Sequence, residues 1–469
     1  MSCRGSSRRD QRPGVPRGFV ARGTAGDERG TREHRAAPAP TSLLHMKVAE
    51  NRGCTMAGTP PRDEAGRPHA RGAGAEAEGH HERTAAVPAS GVPARTSQEI
   101  PAVIVDAPGA EPRLGRVVPG PRTPGTTLVA VAAAPLNPLD LVIASGTFHS
   151  ARHEDPYVPG SECVGVVIDS DRYAPGSWVY GECHASPVTP GTFAAQVLIA
   201  DENLLPLPEG LDPVTAAAVG NSGTAAFMPL IEVAGLRAGE TVMVLGATGA
   251  VGQLAVQVAR RHGAGRVIGV ARGSAALERL FTLGADAVVE LRADESAEDL
   301  AARLTEASGP VDVVLDGVYG TPLEAALRVC APRARVVNIG NPAGATAQVP
   351  AGLLRGKQLT LSGFAGLHTP LRDKRAALTW LWTVLAAGEL RVPVHTLPLA
   401  ELPSAWKAQS ASPHAKYVVL PGDAHSSGPG PSRSEYTSVT HTSAPPRSVP
   451  SPGRPDSAAD DLGAGGQGA

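Results

Sequence analysis

Cysteine is scarce in this chain: 5 in 469 residues, at Cys3, Cys54, Cys163, Cys183 and Cys330, with no C-x-x-C pair among them. That scatter argues against a disulfide-stapled scaffold and a clustered zinc site, and it fits a reducing, cytoplasmic setting. Neither sign of charge is in excess, with 43 Lys and Arg against 45 Asp and Glu, so nothing points to a nucleic-acid partner. No apolar run approaches the roughly 18 residues of a membrane span, and the amino end lacks the apolar segment of a secretory signal. A protein working without nucleic acid or membrane is expected, and its length allows two or three domains.

Periodic apolar pattern is missing at both ends. Residues 1–97 are rich in Arg, Gly, Ala, Pro and Glu. Such a segment buries too little surface to offset its ordering entropy and is expected to be disordered. Its arginines resemble those of a transit peptide, but Asp27, Glu28, Glu33, Asp63 and Glu64 speak against that. Met46 and Met56 lie inside it, which favours an over-extended translation start. The tail, 422–469, is rich in Ser, Pro and Gly and is likewise expected to be disordered.

The chain between is organised around residues 241–270, TVMVLGATGAVGQLAVQVARRHGAGRVIGV. The pattern predicts a short β-branched strand at 241–245, a glycine turn, a helix over 251–262 and a returning strand from 266. Against the dinucleotide fingerprint G-x-G-x-x-G, Ala247 takes the first position and Gly249 and Gly252 the other two. Gly249 lets the backbone approach a pyrophosphate, and Gly252 lets the helix pack closely on the strand. Gly246 and Thr248 complete the turn. Ala250 and Val251 open the helix, whose free amides attract a phosphate.

Before this stretch, short strands broken by Pro and Gly are predicted at 102–105, 127–134, 163–168, 177–180 and 193–199, the pattern of a β-rich domain. Helices follow at 213–219 and 224–233. After it, strands at 266–271, 287–291, 311–316, 335–339 and 358–362 alternate with helices at 275–283, 294–307 and 320–330. That alternation specifies an α/β fold with a doubly wound parallel sheet. An amphipathic helix at 372–387 stops at Gly388, with Trp380 and Trp382 as packing residues. Residues 392–420 then return to a strand-like pattern that completes the β-rich domain.

Several segments in series carry a family resemblance. AAPLNPLDLVIASGTF (133–148), VPGSECVGVV (158–167), NSGTAAFMPL (221–230), GATGAVG (246–252), DVVLDGVYG (312–320), RVVNIG (335–340) and LTLSGF (359–364) occur in that order. Together they resemble the medium-chain dehydrogenase/reductase superfamily, in its zinc-independent quinone oxidoreductase-like and enoyl reductase branch. The resemblance implies a Rossmann domain over 221–365, inserted in a GroES-like β-rich catalytic domain over 98–220 and 366–421, with the active site in the cleft between. It also implies a homodimer through the Rossmann sheet edge, with candidate strands in 345–362.

Catalytic zinc needs three protein ligands and an open position. Where zinc-dependent members of that superfamily carry ligands, this chain has Pro138, Gly160-Ser161-Glu162 and Gly220-Asn221. Cys183 and His184 are adjacent but have no further partners. No metal is expected, and the nicotinamide cofactor becomes the chemical agent. An NAD enzyme usually places Asp or Glu at the end of the second Rossmann strand; this chain has Ala271-Arg272-Gly273-Ser274. Arg272 and Ser274 suit a 2′-phosphate, so NADPH is expected over NADH. The resemblance implies further cofactor contacts at Gly317, Val318, Asn338, Gly340 and Phe364.

Hydride transfer to a polarised alkene or quinone builds negative charge on a carbonyl oxygen. The matched motifs offer Asn137, Asp140 and Thr224 as catalytic candidates, with Ser222 as a further donor. Asp140 is equally fit to organise its own loop. Quinone-reducing members place tyrosines where this chain has Val142 and Phe148; Tyr157 and His149 lie nearby. Glu162 is expected to support the site, and Lys416 to be solvated. The expected activity is NADPH-dependent, zinc-independent reduction of a small-molecule α,β-unsaturated carbonyl or quinone. The alternatives are a nucleotide-binding protein with little turnover and an enoyl reductase for carrier-bound acyl chains.

Overall fold

Alternating burial organises the first sheet of the computed structural model, which describes residues 98–147, 156–186 and 189–422. The expectations for the two chain ends, and for Phe148 and His149, lie outside the described residues. A hairpin of β1 (Ile100–Ile104) and β2 (Arg113–Val117) comes first. In β3 (Thr126–Pro135) every second residue is buried until the last three, which are all buried. The strand therefore runs from a half-solvated edge into a region covered on both faces. After α1 (Pro138–Ala144) come β4 (Glu162–Asp169), β5 (Trp178–Glu182), β6 (Gln196–Ala200), β7 (Leu204–Pro206) and α2 (Pro213–Met228).

The second sheet is parallel throughout. Its elements are β8 (Thr241–Leu245), α3 (Ala250–Arg261), β9 (Arg266–Ala271), α4 (Ser274–Thr282), β10 (Ala287–Glu290), α5 (Ala297–Ser308), β11 (Val311–Asp316), α6 (Gly320–Val329), β12 (Cys330–Asn338), α7 (Ala351–Lys357) and β13 (Thr360–Gly363). Strand order is β10-β9-β8-β11-β12-β13. The order reverses between β8 and β11, which opens a crevice at their carboxyl ends, where ligands sit in such sheets. Val242 and Val244 pack with α3 on one face, Met243 and Leu245 with α5 and α6 on the other. The chain then runs through α8 (Leu371–Ala386), β14 (Val394–Pro398), α9 (Leu402–Ser410) and β15 (Lys416–Leu420). β15 lies antiparallel to β3 and parallel to β14, and so joins the first sheet.

The expected α/β fold, a doubly wound sheet beside a β-rich one, is thus the observed one, with local differences. The two helices expected at 213–219 and 224–233 are one helix, α2, followed by a wider π turn at Pro229–Val233. The glycines that suggested a break serve packing instead. A Cβ on Gly220 would lie 2.4 Å from Glu162 Oε2, and one on Gly223 2.8 Å from Leu381. The span Pro213–Val233 is long and apolar enough to cross a membrane by length and composition, but its window is 78 % buried inside the protein, the setting of a core helix. Residues 392–420 contain the helix α9 between two strands, because parallel β14 and β15 need a crossover. Within 345–362, residues Ala351–Lys357 are helical, leaving β13 alone as the edge strand.

Candidate active site

The crevice between β8 and β11 is shaped by backbone and small residues. Gly246 follows β8 at φ +82°, a conformation that L side chains rarely adopt. A Cβ on Gly252 would lie 2.3 Å from Gly246 O, so α3 rests directly on the turn. Gly249 is the N-cap of α3 with no side-chain cap, and a Cβ there would meet only Gly246 O, at 3.5 Å. The start of α3 at Ala250 and Val251 therefore has no side-chain cap, and an uncapped helix start suits an anion. Thr248 is buried, and its carbonyl accepts a 2.8 Å bond from Gln253 Nε2.

Across the crevice, Asp316 at the end of β11 orders the loop that holds Gly317 and Val318. Its Oδ1 accepts from the amides of Val318 at 3.0 Å and Tyr319 at 2.8 Å. Asn338 donates through Nδ2 to Asp316 Oδ2 and to Gly340 O, both at 2.8 Å, so its carboxamide braces the loop rather than standing free. Asp316 carried no signal in the sequence beyond its place at a strand end. Phe364 packs beside the sheet, and its amide donates to Asn338 O at 2.9 Å. Arg272 and Ser274 are exposed beyond β9, and Arg272 makes no ion pair among the described residues.

From Phe364 the chain leads to Leu367 and His368, which line a cavity of about 290 Å³. Its other walls include Asp140, Tyr157, Ser161 and Cys183. His184 approaches Leu367 O at 3.3 Å from across the cavity. Cys183 is buried with its Sγ donating to Pro190 O, and burial pushes its thiol up to about 12, with Asp140 adding to the effect. Among the described residues no group of three His, Cys, Asp or Glu is placed to hold a metal ion.

Behind the cavity lies a buried polar cluster. The N-x-x-D segment begins α1, where Asp140 Oδ2 accepts the Asn137 amide at 2.8 Å, the reciprocal half of a capping box. Asn137 Nδ2 donates to Glu162 Oε1 at 2.9 Å. Glu162 Oε2 also accepts from the Asn221 amide at 2.7 Å and from Tyr180 at 2.8 Å. Tyr180 in turn contacts Glu182, which pairs with the buried Lys374 at 2.7 Å.

Lys416 closes this cluster and corrects the expectation of a solvated lysine. It is 2 % exposed, and its ammonium donates to Asn137 Oδ1 and, at 3.0 Å, to Ser222 Oγ. Burial lowers its pKa, while Glu162 and Asp140 support the charge. Burial raises Asp140 to about 7; the Asn137 amide, Ser161 and Lys416 pull down, and Glu162 pushes up. Burial raises Glu162 also, against Lys416 and its donors.

The three catalytic candidates thus occupy different settings. Asp140 borders the cavity, Asn137 is committed on both sides of its carboxamide, and Thr224 is buried in α2 with its hydroxyl donating to Asn221 O at 3.0 Å. Ser222 faces Lys416. Tyr157 reaches the cavity wall through a bridge to Val105.

Known proteins share this fold. Residues 123–209 match the alcohol dehydrogenase GroES-like domain, and residues 250–383 the zinc-binding dehydrogenase family. Over 314 residues the chain is 34 % identical to a phthioceranic/hydroxyphthioceranic acid synthase of Mycobacterium tuberculosis; the match takes in 65 % of this chain and 14 % of the synthase. The fold superposes on a probable oxidoreductase from Mycobacterium abscessus with TM-score 0.59 and 28 % identity, over 70 % of this chain and all (100 %) of that one. Two mycobacterial structures, one complexed with NADPH and one of a quinone oxidoreductase, share the fold at 24 % identity, with TM-scores of 0.60 and 0.59, each over 69 % of this chain and 100 % of its own.

Proposed function

We propose that this chain, a member of the medium-chain dehydrogenase/reductase superfamily in its quinone-oxidoreductase-like branch, is an NAD(P)H-dependent reductase that acts on the carbon–carbon double bond of an α,β-unsaturated carbonyl compound. The observation that carries this reading is the placement of a buried carboxyl on a cavity reached by the chain leaving the second sheet. Phe364, whose amide bonds Asn338 O, lies three residues before Leu367, and Leu367 lines the cavity bordered by Asp140.

When bound, the dihydronicotinamide supplies the hydride. Gly246, Thr248, Gly249, Ala250, Val251 and Gly252 would hold its pyrophosphate, and Gly317, Val318, Asn338, Gly340 and Phe364 would line the path toward the nicotinamide. Arg272 and Ser274 favour NADPH over NADH, since an exposed guanidinium binds a 2′-phosphate well and no acidic side chain stands at the end of β9 to bind a ribose hydroxyl. Of the residues at the superfamily's zinc-ligand positions, Pro138, Gly160-Ser161-Glu162 and Gly220-Asn221, only Glu162 is a donor of the required kind, and one donor falls short of the three that catalytic zinc needs, which supports chemistry without zinc. Likeness to the spectinabilin polyketide synthase system protein NorB of Streptomyces orinoci, 33 % identical over 64 % of this chain and 13 % of that protein, favours enoyl thioesters over quinones. A cytoplasmic setting fits the buried, unpaired Cys163, Cys183 and Cys330. Homodimerisation through β13 is supported by its position at the sheet edge with Leu361 37 % exposed.

The test is nucleotide consumption. NADPH and NADH are titrated by fluorescence, and absorbance is then followed with enones, enoyl thioesters and quinones, with and without chelator. Chelator-insensitive NADPH oxidation driven by an enone or enoyl thioester is expected. NADPH binding without turnover across the panel would favour the non-catalytic alternative, and loss of activity with chelator would restore a metal.

A further inference from the structure

Asp140, Glu162 and Lys416 place two carboxyls and one ammonium in a region where each residue is no more than 2 % exposed. With all three ionised the cluster carries an unbalanced buried negative charge, which is costly. One retained proton makes it neutral. Hydrogen bonding decides which carboxyl keeps it. Glu162 accepts from three donors, Asn137 Nδ2, the Asn221 amide and the Tyr180 hydroxyl, an environment that favours a carboxylate. Asp140 accepts the Asn137 amide and a bond from Ser161. Asp140 is also the one of the three that borders the large cavity.

We propose that Asp140 delivers the proton to the α-carbon of the reduced substrate, and that Glu162 and Lys416 are positioning residues, the Glu162 carboxylate holding that proton on Asp140 and the Lys416 ammonium favouring its release. This rests on the reductase reading above. In balance, a hydride from the dihydronicotinamide forms the new C–H bond at the β-carbon, and the alkene electron pair moves toward the carbonyl as an enolate. The enolate carbon then takes the proton as the Asp140 O–H bond breaks. The Asp140 carboxylate recovers a proton from water in the cavity. The groups facing Asp140 are Lys416 on β15, Glu162 on β4, Tyr157 before it and Cys183 after β5, with His184 and His368 across the cavity. Burial raises Asp140 to about 7, so its acid form is present at neutral pH and is lost above it, whereas burial holds the Tyr157 phenol up, beyond that range.

Carbon-13 NMR of aspartate-labelled protein without nucleotide gives a readout independent of turnover. One carboxyl is expected to titrate near about 7, to vanish in Asp140→Asn and to move to higher pH in Lys416→Met, which removes the cation that favours ionisation. Asp140→Asn keeps an acceptor for the Asn137 amide. It is expected to lower kcat by about 100-fold or more, the usual scale of general acid catalysis, with NADPH affinity unchanged. Absence of any aspartate titrating near neutrality overturns the shared proton directly, whatever the variants do. If the wild type reduces no enone or enoyl thioester, the reductase reading fails and the delivery role falls with it. If the wild type reduces enones and Asp140→Asn does so with the same kcat and pH profile, this inference alone fails.

Discussion

The ammonium of Lys416 donates a hydrogen bond to Oδ1 of Asn137, 279 positions earlier in the chain. That bond joins the last strand of the first sheet to the turn that starts α1, and it sets which way the Asn137 carboxamide faces. With Oδ1 taken by Lys416, Nδ2 points at Glu162. The orientation of the cluster therefore depends on the chain's return from the second sheet to the first.

Asp140 makes folding stability depend on pH in a defined direction. Its carboxyl is raised from 3.8 to about 7, so between those values the folded state holds a proton that the unfolded chain releases. Stability from this group is present below the lower value and is lost as pH rises toward the upper one. Asp140→Asn lacks that loss. Its melting temperature relative to wild type is expected to improve from pH 5 to pH 8, and a flat difference would contradict it.

Two glycines in the turn should separate binding from folding. Gly252→Ala drives a methyl into the Gly246 carbonyl at 2.3 Å, and overpacking of this kind costs about 1–3 kcal/mol. Gly249→Ala meets only Gly246 O at 3.5 Å and should fold normally. It is expected to weaken NADPH binding about 10-fold or more by blocking close approach of the phosphate. Thermal melting and fluorescence titration of both variants give the comparison.

Arg272→Ala should alter nucleotide choice without affecting the fold, since the side chain is exposed. A charge-assisted bond to phosphate contributes about 1.5–3 kcal/mol, so the Kd for NADPH should rise roughly 10- to 100-fold. NADH affinity should stay level. An unchanged ratio of the two affinities would remove Arg272 from this role.

Gly220→Ala tests the close seating of α2. The added methyl would lie 2.4 Å from Glu162 Oε2 and 2.5 Å from the Tyr180 ring. Both are buried, so the helix must shift. A loss of about 1–3 kcal/mol is expected in denaturant unfolding, together with lower kcat from displacement of Glu162. A variant as stable and active as wild type would show that the helix can move freely here.

Lys374→Met leaves the Glu182 carboxylate without its cation. The Lys374 side chain is 2 % exposed and that of Glu182 16 %. Removing one partner of so buried a pair should cost about 2–4 kcal/mol, read from urea unfolding. Lys374→Met with Glu182→Gln should recover part of that loss, because no uncompensated charge remains.

The parallel sheet and its glycine turn were legible because their signals are local. Apolar runs such as TVMVL, followed by small residues and a helical stripe, specify strand, turn and helix within one βα unit, and repetition of the unit specifies the sheet. The N-x-x-D segment was legible only in part: Asp140 does bond the backbone of its own segment, at the Asn137 amide, but it does so at the start of α1, a helix the pattern did not predict.

The settings of Lys416, Gly220 and Asp316 were decided by tertiary structure. A lysine ahead of a strand reads as solvated until Asn137 and Ser222 are seen to surround it. Glycines inside a helix read as a break until Glu162, Tyr180 and Leu381 occupy the space that side chains would need. The physical reason is range. Backbone hydrogen bonding and apolar periodicity act over a few residues, and the sequence determined those elements by itself. The burial of a charge, and with it the proton balance of Asp140, Glu162 and Lys416, depends on groups brought together only when the last strand docks beside β3.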